Sequence, residues 1–461
     1  MSLTSPKLPK AAIGAPTSHV RFRVLGLLAS LSMLTYVDRI CIQRLQPAIQ
    51  HDLHLSDSEF GFVFSAFLWG YALFEVPVGW LSDVWGARKV ILRIVLWWSL
   101  FTALTGAVYE FWPDSPIALP FGWGTMSWAL LSLILARFLF GCGEAGVYPT
   151  LANVVRVWYP LSERGFAQGI ILMANRFGSA ISPLVVGLLA AWFGWRGAFY
   201  TLGIVGVAWA VLFALVFRER PAEHPLVSSD ELERIGTPPT ARLHGGPKFP
   251  LRIALSRVSI WAMGALYMLS ISFGWTFYVT WQPKYLEDVY KLSFDDSQWL
   301  VGLPYLCGAV GCLLGGRLSD FILRQTGSLR WSRSLVGIGG LSVAGVCFLT
   351  ASVIHDQWQT VLLFSLAALA SDMFLAPYWA AITDVGGRFT GTLGGAFNMF
   401  ALLGGGVFAS LIPWLRTQNV EWSHVLQVIG FAWLAAAAMW ILVDASRPLL
   451  PSDEQEVPAA E

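Results

Sequence analysis

The sequence predicts an all-α membrane protein of twelve transmembrane helices. Of its 461 residues, 56% are hydrophobic and only 13% are charged, and the mean hydropathy is +0.59. Such a composition is typical of a chain surrounded mostly by lipid. Apolar runs recur at about twelve places, each close to the roughly 20 residues that an α-helix needs to cross the hydrocarbon core.

A charged, Pro-rich stretch at residues 218–257 separates six apolar runs from six others. The predicted transmembrane helices cover residues 24–42, 60–80, 90–109, 126–150, 166–191, 197–217, 258–281, 298–318, 334–354, 359–382, 391–413 and 424–443. The predicted organisation is an N-terminal tail (1–23), a first half (24–217), a cytoplasmic linker (218–257), a second half (258–443) and a C-terminal tail (444–461). Within the linker, Ser228 precedes an acidic stretch that predicts a short capped helix on the surface.

The distribution of Lys and Arg predicts the topology. Alternate loops carry a basic excess, which cytoplasmic loops retain, so both termini are expected in the cytoplasm. The first twenty residues have no apolar core of their own, and the first transmembrane run is the expected targeting element. The sequence therefore indicates a multi-pass protein of the plasma membrane, which in a bacterium is the inner membrane.

The two halves share a local signature. Gly79-Trp80-Leu81-Ser82-Asp83 follows the second apolar run, and Gly316-Arg317-Leu318-Ser319-Asp320 follows the eighth. These are equivalent places in a six-plus-six duplication, which favours a carrier built from two parallel, pseudo-symmetric halves.

Several further motifs give the chain a resemblance to a known family. They are Tyr36-Val37-Asp38-Arg39, the loop 79–89, Arg137-Phe138-Leu139-Phe140-Gly141-Cys142-Gly143-Glu144-Ala145-Gly146, Gly194-Trp195-Arg196 and Gly394-Gly395-Ala396-Phe397-Asn398-Met399. In their order and spacing, these motifs resemble the major facilitator superfamily, and more narrowly its anion:cation symporter family. The resemblance covers most of the chain and implies the major facilitator fold.

The resemblance also implies roles for several charged residues. Acids matching Asp38 and Glu144 take up protons in related symporters, the arginine matching Arg39 helps to hold a substrate carboxylate, and the amide matching Asn398 contacts substrate. Charged residues inside a membrane are costly and mark functional sites by default. A carboxyl group changes its proton affinity when substrate engages a neighbouring cation, which provides a means of coupling. Ion pairs that only hold helices together are the alternative explanation.

Helical spacing constrains how these residues can meet. Arg137 and Glu144 are seven residues apart, so they share a helix face but lie about 10.5 Å apart along its axis and cannot touch directly. Asp38 and Arg39 point about 100° apart around their helix and are expected to serve different partners.

Other candidates extend the predicted substrate site. Arg176 is a further buried cation, and three buried cations favour an anionic substrate. Asn175 shares its helix face with Ser179 and Ser182, which suits a hydroxylated substrate or, equally, close helix packing. Asp372, alone in the tenth run, needs water, a proton or a basic partner, for which an Arg of the other half is a candidate. The candidate aromatic and phenolic contacts are Tyr36, Tyr71, Tyr278, Tyr378 and Trp379.

Asp83, Arg88 and Lys89 form a predicted conformational latch, because an acid at a cytoplasmic helix end can engage a helix N-terminus or an Arg across the halves. Val84 stands where the family usually has a base, which leaves the complete latch in question. Glu75, inside the second run, is unexpected for the family and has no explanation in the sequence.

Other chemistries are not indicated. His51 and His54 lack further ligands for a metal, and no phosphate-binding glycine loop or catalytic constellation is present, so neither a cofactor nor enzymatic activity is expected. Five cysteines lie in or beside apolar runs and predict no structural disulfide. No nucleic-acid partner is indicated.

The sequence thus predicts a proton-coupled symporter of a small organic anion that works by alternating access, with a hexuronate, aldarate or aldonate favoured. The expected partners are the carboxylated substrate, protons and lipid, and the carrier is expected to function as a monomer. Two alternatives remain: an organic-anion or organophosphate exchanger, disfavoured because the seventh run lacks a Lys or Arg, and a transporter-like membrane sensor.

Overall fold

The computed structural model describes residues 18–108, 117–118, 125–236, 249–292 and 294–450, without the side chains of 294–298. The sixteen α-helices of these residues are α1 (Val20–Leu53), α2 (Asp57–Trp85), α3 (Ala87–Gly106), α4 (Trp128–Glu144), α5 (Val147–Trp158), α6 (Arg164–Val216), α7 (Ser229–Ile235), α8 (Leu251–Ser256), α9 (Val258–Leu269), α10 (Gln282–Tyr290), α11 (Phe294–Thr326), α12 (Leu329–Ala351), α13 (Gln357–Asp372), α14 (Leu375–Gly386), α15 (Thr390–Thr417) and α16 (Trp422–Met439). Short 3₁₀ turns cover Leu161–Glu163, Pro221–Glu223, Gly387–Phe389 and Trp440–Leu442. The strands β1 (Ile117–Ala118) and β2 (Thr125–Met126) pair antiparallel, with Ile117 opposite Met126.

The described helices provide twelve membrane crossings. Ten helical stretches are long and apolar enough to span a membrane. Two of them, Leu161–Val216 and Gln357–Thr417, contain 56 and 61 residues, which at 1.5 Å per residue is about twice a bilayer's thickness. Each of the two turns back at a glycine with positive φ, Gly194 at 69° and Gly387 at 52°. The predicted twelve-helix, two-half membrane fold is confirmed.

Two crossings, one in each half, are interrupted near the middle of their length. In the first half, α4 ends at Glu144 and α5 begins at Val147; in the second, α13 ends at Asp372 and α14 begins at Leu375. A proline is the third residue of each second segment, Pro149 in α5 and Pro377 in α14. Proline lacks the N–H and clashes with the carbonyl four residues earlier, which explains why both helices break just before it.

The seventh crossing is also irregular. It runs through α9, π-helical segments at Ser270–Trp275 and Phe277–Trp281, and α10. π-helical turns inside α-helices are frequent at functional sites. The first of these segments, Ser270–Trp275, faces the space between the halves through Ile271 and Trp275.

The linker helix α7 forms as the sequence predicts, with the Ser228 hydroxyl accepting from Glu231 N. Its expected surface position is only partly correct, because the side chains of Glu231 and Ile235 are buried. Glu231 accepts hydrogen bonds from the backbone N–H groups of Val20 and Arg21 at 3.0 and 3.1 Å, so α7 packs against the start of α1.

The halves pack on each other mainly through α6 against α11 and α2 against α15. The larger apolar cluster draws on both halves, for example Leu151 of α5 and Ile382 of α14. The second cluster, which includes Leu45 and Phe199, consists entirely of first-half side chains among the described residues. Apolar packing between the halves is therefore concentrated towards the end of the bundle where the chain begins. That end also holds Asp83, Arg164 and Arg333, and is called the basic end below.

Candidate substrate-binding site

A cavity of about 580 Å³, including its open mouth, lies between the halves. Its walls combine phenolic, amide and guanidinium groups with a few apolar side chains. The lining residues are Tyr36, Arg39, Tyr71, Tyr148, Leu172, Asn175, Arg176, Tyr267, Ile271, Trp275, Leu375, Trp379, Asn398 and Leu402.

Arg39 of α1 forms the first ion pair of the cavity wall. Its Nε and Nη2 atoms donate to Glu144 Oε1 at 3.2 and 2.8 Å. The Arg39 side chain is 19% exposed, whereas that of Glu144 is 0% exposed, so the cation is reachable from the cavity and the acid lies behind it. The second carboxylate oxygen of Glu144 has no hydrogen-bond partner among the described residues. The rings of Tyr36 and Tyr71 flank the guanidinium, with centroids 4.9 and 4.7 Å from Cζ.

Asp38, the neighbour of Arg39, points elsewhere. It is 1% exposed, and neither of its carboxylate oxygens has a hydrogen-bond partner among the described residues. Arg137 is equally buried, with Nε and Nη2 also lacking partners in that part of the chain, and its guanidinium lies 4.7 Å from the Phe140 ring. Burying an unpaired carboxylate is far more costly than burying a neutral carboxylic acid. Asp38 is therefore suited to carrying a proton.

A second ion pair crosses from one half to the other. Arg176 of α6 donates from Nε and Nη2 to the two oxygens of Asp372 at 2.6 and 2.8 Å, as a bidentate fork. The Trp275 ring of the π-helical segment covers the guanidinium at 3.6 Å. Bidentate charge-assisted bonds of this kind are among the strongest in proteins.

Glu75, which the sequence left unexplained, also reaches across the halves. Its carboxylate is fully buried and accepts a 2.6 Å hydrogen bond from Asn398 Nδ2 of α15. The Tyr267 hydroxyl donates to Asn398 Oδ1 at 3.3 Å. The amide of Asn398 is thus oriented from both sides, with its carbonyl oxygen able to accept further bonds.

Asn175 is held on the opposite wall. Its Nδ2 donates to the Tyr148 hydroxyl, and its Oδ1 is buried with no hydrogen-bond partner among the described residues. An orphaned amide oxygen that lines a cavity is suited to accept a hydrogen bond from a substrate hydroxyl.

Three of the predicted substrate contacts do not line the cavity. Tyr278 and Tyr378 are buried in the second half, where their hydroxyls donate to the carbonyls of Phe364 and Met263 at 2.7 and 3.1 Å. Arg137 lies with Asp38 rather than on the cavity wall. The remaining predicted contacts, Tyr36, Arg39, Tyr71, Asn175, Arg176, Trp379 and Asn398, all line the cavity.

Three aromatic cavity residues, Tyr148, Tyr267 and Trp275, were missed from the sequence, as were the apolar Leu172, Ile271, Leu375 and Leu402. Tyr148 follows Glu144 by four residues, which could have suggested it. Trp275 could not be found in this way, because it depends on the π-helical turn.

At the basic end, Asp83 accepts from Gly391 N and Thr392 N at 2.8 and 2.7 Å, at the start of α15 in the other half. Carboxylates bind well at helix N-termini because the N–H groups there lack partners within the helix. The other predicted latch residues do not take part. Arg88 donates to Ala214 O within the first half, and Lys89 is exposed.

A second contact mirrors that of Asp83. Asp320 accepts from Gly165 N and Phe166 N at 3.1 and 2.6 Å, at the start of α6, and Arg333 Nη1 donates to it at 2.8 Å. Each half thus inserts the aspartate of its repeated signature into a helix N-terminus of the other. No cluster of three His, Cys, Asp or Glu side chains that could hold a metal occurs within the described ranges.

Twelve membrane crossings in two halves, with a polar cavity between them and reciprocal contacts at one end, define a membrane carrier. The chain matches the Major Facilitator Superfamily over residues 28–409, and it belongs to that family. It is therefore a transporter and not an enzyme.

Relatives of known or probable function extend over nearly the whole chain. A probable sulfoacetate transporter of Cupriavidus necator is 31% identical, covering 96% of this chain and 97% of its own length. A probable galactarate/D-glucarate transporter of Escherichia coli K12 is 30% identical, with coverages of 92% and 95%. A hexuronate transporter of Bacillus subtilis is 29% identical, with coverages of 94% and 96%.

Solved structures share the fold. The major facilitator transporter FucP in the outward conformation has a TM-score of 0.67 at 15% identity, covering 92% of this chain and 99% of its own. A bacterial Spinster homologue in an inward-facing conformation has a TM-score of 0.54 at 19% identity, with coverages of 96% and 100%.

Proposed function

We propose that the protein is a secondary active symporter that carries a small organic anion together with protons. The observation that carries this proposal is the Arg39–Glu144 pair, in which a cation on the cavity wall is bound by a fully buried acid. An incoming carboxylate needs the arginine that Glu144 occupies. Substrate and Glu144 therefore compete for one guanidinium.

Protonation resolves this competition. A proton on Glu144 removes its negative charge, so Arg39 can turn its fork to the substrate carboxylate. Asp38, buried without hydrogen bonds among the described residues, is the second proposed proton carrier. Substrate binding and proton binding then favour each other, which is the thermodynamic requirement for symport.

We assign the structure to an outward-open state, with the basic end and both termini in the cytoplasm. The supporting observations are the reciprocal Asp83 and Asp320 contacts at the basic end and the apolar cluster there that joins both halves. Release to the cytoplasm requires these contacts to break as the halves rock around the central site. In the proposed organisation, the linker at 218–257 joins halves that span 24–217 and 258–443. The tails cover 1–23 and 444–461. The carrier works as a monomer in the plasma membrane.

The proposed substrates are acidic sugars or similar hydroxylated acids: hexuronates, aldarates or aldonates. Support comes from the cavity, where two guanidiniums, two amides and four phenols suit carboxylates and hydroxyls. The relatives named for galactarate, glucarate and hexuronate transport point to the same class.

Uptake into proteoliposomes tests the proposal. With an inward proton gradient and a clamped membrane potential, the wild type should accumulate a labelled acidic sugar above its external concentration. Glu144→Gln and Asp38→Asn should lose this accumulation and retain some exchange of internal for external anion. Full gradient-driven accumulation by both variants would refute proton coupling through these acids. Strict dependence on internal phosphate would identify an exchanger instead.

A further inference from the structure

We infer that the natural substrate is a dianion, whose two acidic groups are held by Arg39 and Arg176 at two subsites of the one cavity. This inference rests on the proposed function and adds the number and placement of charges on the substrate. It is carried by a second acid–arginine pair, whose cation also lines the cavity.

The two acids occupy equivalent places in the two halves. Glu144 is the last residue of α4 and Asp372 is the last residue of α13. Each is followed by a two-residue break and a twelve-residue helix, and each precedes a proline, Pro149 or Pro377, by five residues. A carboxylate at a helix C-terminus faces the negative end of the helix dipole and needs a cation nearby.

The two arginines each have an acid partner and a place on the cavity wall but differ in exposure. The Arg39 side chain is 19% exposed beside a fully buried Glu144, whereas that of Arg176 is 6% exposed beside an Asp372 that is 12% exposed. Each uses its Nε and Nη2 edge to bind the acid, and each lines the same cavity. Nη1 takes no part in either fork. An aromatic ring contacts each guanidinium, Tyr71 at 4.7 Å for Arg39 and Trp275 at 3.6 Å for Arg176. A stacked, bidentate guanidinium at a cavity wall is well suited to carboxylate recognition.

Charge balance favours a substrate with two acidic groups. Each arginine is neutralised by one acid in the empty site, so a monoanion can displace one carboxylate and leaves the other pair unchanged. A dianion can take both guanidiniums, and the two displaced acids can then bind one proton each. The two charges on the substrate are thus matched by protons on Glu144 and Asp372, in addition to the proton proposed for Asp38, and no unpaired charge remains buried at the two subsites.

The two subsites differ in what they connect. The Arg39–Glu144 pair lies within the first half, whereas Arg176 and Asp372 join the two halves. Anion binding at Arg176 therefore also breaks a tie between the halves. The second acidic group of the substrate is placed where it can release the conformational change, which a monoanion at Arg39 alone would not do.

A purely structural ion pair is the competing explanation. The Arg164–Asp384 pair, at 2.7 Å, shows what such a tie looks like: it joins the halves at the basic end, away from the cavity. The Arg176–Asp372 pair differs because its cation forms part of the substrate cavity.

Pairs of sugar acids that differ by one carboxylate distinguish a second anion subsite at Arg176 from a purely structural ion pair. Galactarate and galactonate, and likewise glucarate and gluconate, differ only in whether the sixth carbon is a carboxylate or a hydroxymethyl group. Binding of all four to the purified wild type should be measured by thermal shift and by competition with labelled uptake. We expect a diacid to bind about tenfold or more tightly than its monoacid, the order of a charge-assisted pair.

Substitutions show which arginine causes the preference for diacids. Arg176→Gln should bring the diacid-to-monoacid affinity ratio towards one, with little change in the affinity for the monoacid. Arg176→Lys should retain part of the preference for the diacid, and Arg39→Gln should weaken the binding of both acids. Arg196→Gln, which removes an arginine paired with Asp52 at 2.7 Å and not part of the cavity lining, is the matched control with an unchanged ratio. Wild type that binds monoacids as tightly as diacids, or a ratio unaffected by Arg176→Gln, would overturn the inference while leaving symport intact. Failure of every acid to bind or enter with protons would instead overturn the proposed function.

Discussion

At the scale of single residues, three donors of the cavity are each held by an acid. Arg39 is held by Glu144, Arg176 by Asp372 and Asn398 by Glu75. Unpaired buried donors and charges are costly, so each acid stabilises the empty site while competing with substrate. This arrangement links ligand binding to the protonation of buried carboxyl groups.

Glu75 offers a test of this pairing at one residue. Glu75→Ala should lower the free energy of unfolding by about 1–3 kcal/mol, because the Asn398 amide loses its acceptor in a buried site. The loss should appear as a lower Tm of the purified protein. Glu75→Gln keeps an acceptor oxygen and is the control, with a Tm near that of wild type. Equal Tm values for Glu75→Ala and wild type would contradict the account.

Residue types and their spacing predicted many of the residues that line the cavity. Contacts between residues far apart in the sequence could not be predicted in this way. The need of Asp372 for a basic partner followed from its place in an apolar run, but the choice of Arg176 depends on folding that brings together positions 196 apart. Tyr278 and Tyr378 were wrong as cavity contacts because nothing in the sequence shows that their hydroxyls bind carbonyls inside the second half.

At the scale of elements, interrupted helices position the chemistry. The breaks after Glu144 and Asp372 leave backbone polar groups without helical partners near the middle of two crossings. Within a membrane, irregular backbone is tolerated only when it is buried in protein or lines a cavity. Pro149 and Pro377 are the sequence signal for these two breaks, although the breaks were not predicted from it. The π-helical turns of the seventh crossing have no comparable signal.

Gly146 tests the first break. It has φ of 79°, and a Cβ there would come within 2.4 Å of Val78 Cγ1. Gly146→Ala should destabilise the protein by about 1–2 kcal/mol or more, from backbone strain alone, and should reduce transport by displacing Glu144. Gly187→Ala is the control, because it adds a Cβ with nothing within 4 Å. It should be neutral or slightly stabilising, by about 0.5–1 kcal/mol. Thermal unfolding of both variants separates these outcomes.

The linker helix provides a test through pH. Burial raises the pKa of Glu231. Hydrogen bonds from Ser18, from the N–H groups of Arg21 and Val20, and from the Arg21 guanidinium lower the pKa by more than burial raises it. The pKa of Glu231 therefore lies below its ordinary value of 4.5. A lowered pKa in the folded state means that docking of α7 is at full strength above pH 4.5 and weakens as pH falls through the lower value.

Hydrogen exchange of α7 should therefore be constant from about pH 5.5 to 8 after correction for the intrinsic rate, and faster in more acidic solution. Glu231→Ala should speed exchange of α7 at neutral pH, and Asp230→Ala, on the exposed side of the same helix, is the control. Unchanged protection in Glu231→Ala would show that other contacts dock the helix.

At the scale of the whole molecule, reciprocal contacts hold the basic end closed. Asp83 and Asp320 each bind a helix N-terminus of the opposite half, and Gly79 and Gly391 bring the backbones together, since a Cβ on either would lie about 2 Å from the other's carbonyl oxygen. The repeated signature predicted the place of these aspartates, and the duplication explains why. The sequence did not show that Arg88 and Lys89 stay within their own half.

Spin labels can follow this closure. On a cysteine-free background, labels at Lys89 and Gln325, both exposed at the basic end of opposite halves, should report a single short distance in wild type. Asp83→Ala should add a longer distance, because it removes three hydrogen bonds that hold the halves together. Asp356→Ala, at a helix start at the other end, should leave the distribution unchanged. The same distribution in Asp83→Ala and wild type would show that the aspartate does not hold the closed end.

In a proton symporter, anion and protons cross the membrane together. The most direct measurement uses proteoliposomes that contain a pH-sensitive dye, with the membrane potential clamped and no initial gradients. Addition of galactarate or glucarate outside should acidify the interior in wild type, and the signal should be absent in Glu144→Gln. Anion uptake without internal acidification in wild type would contradict the account.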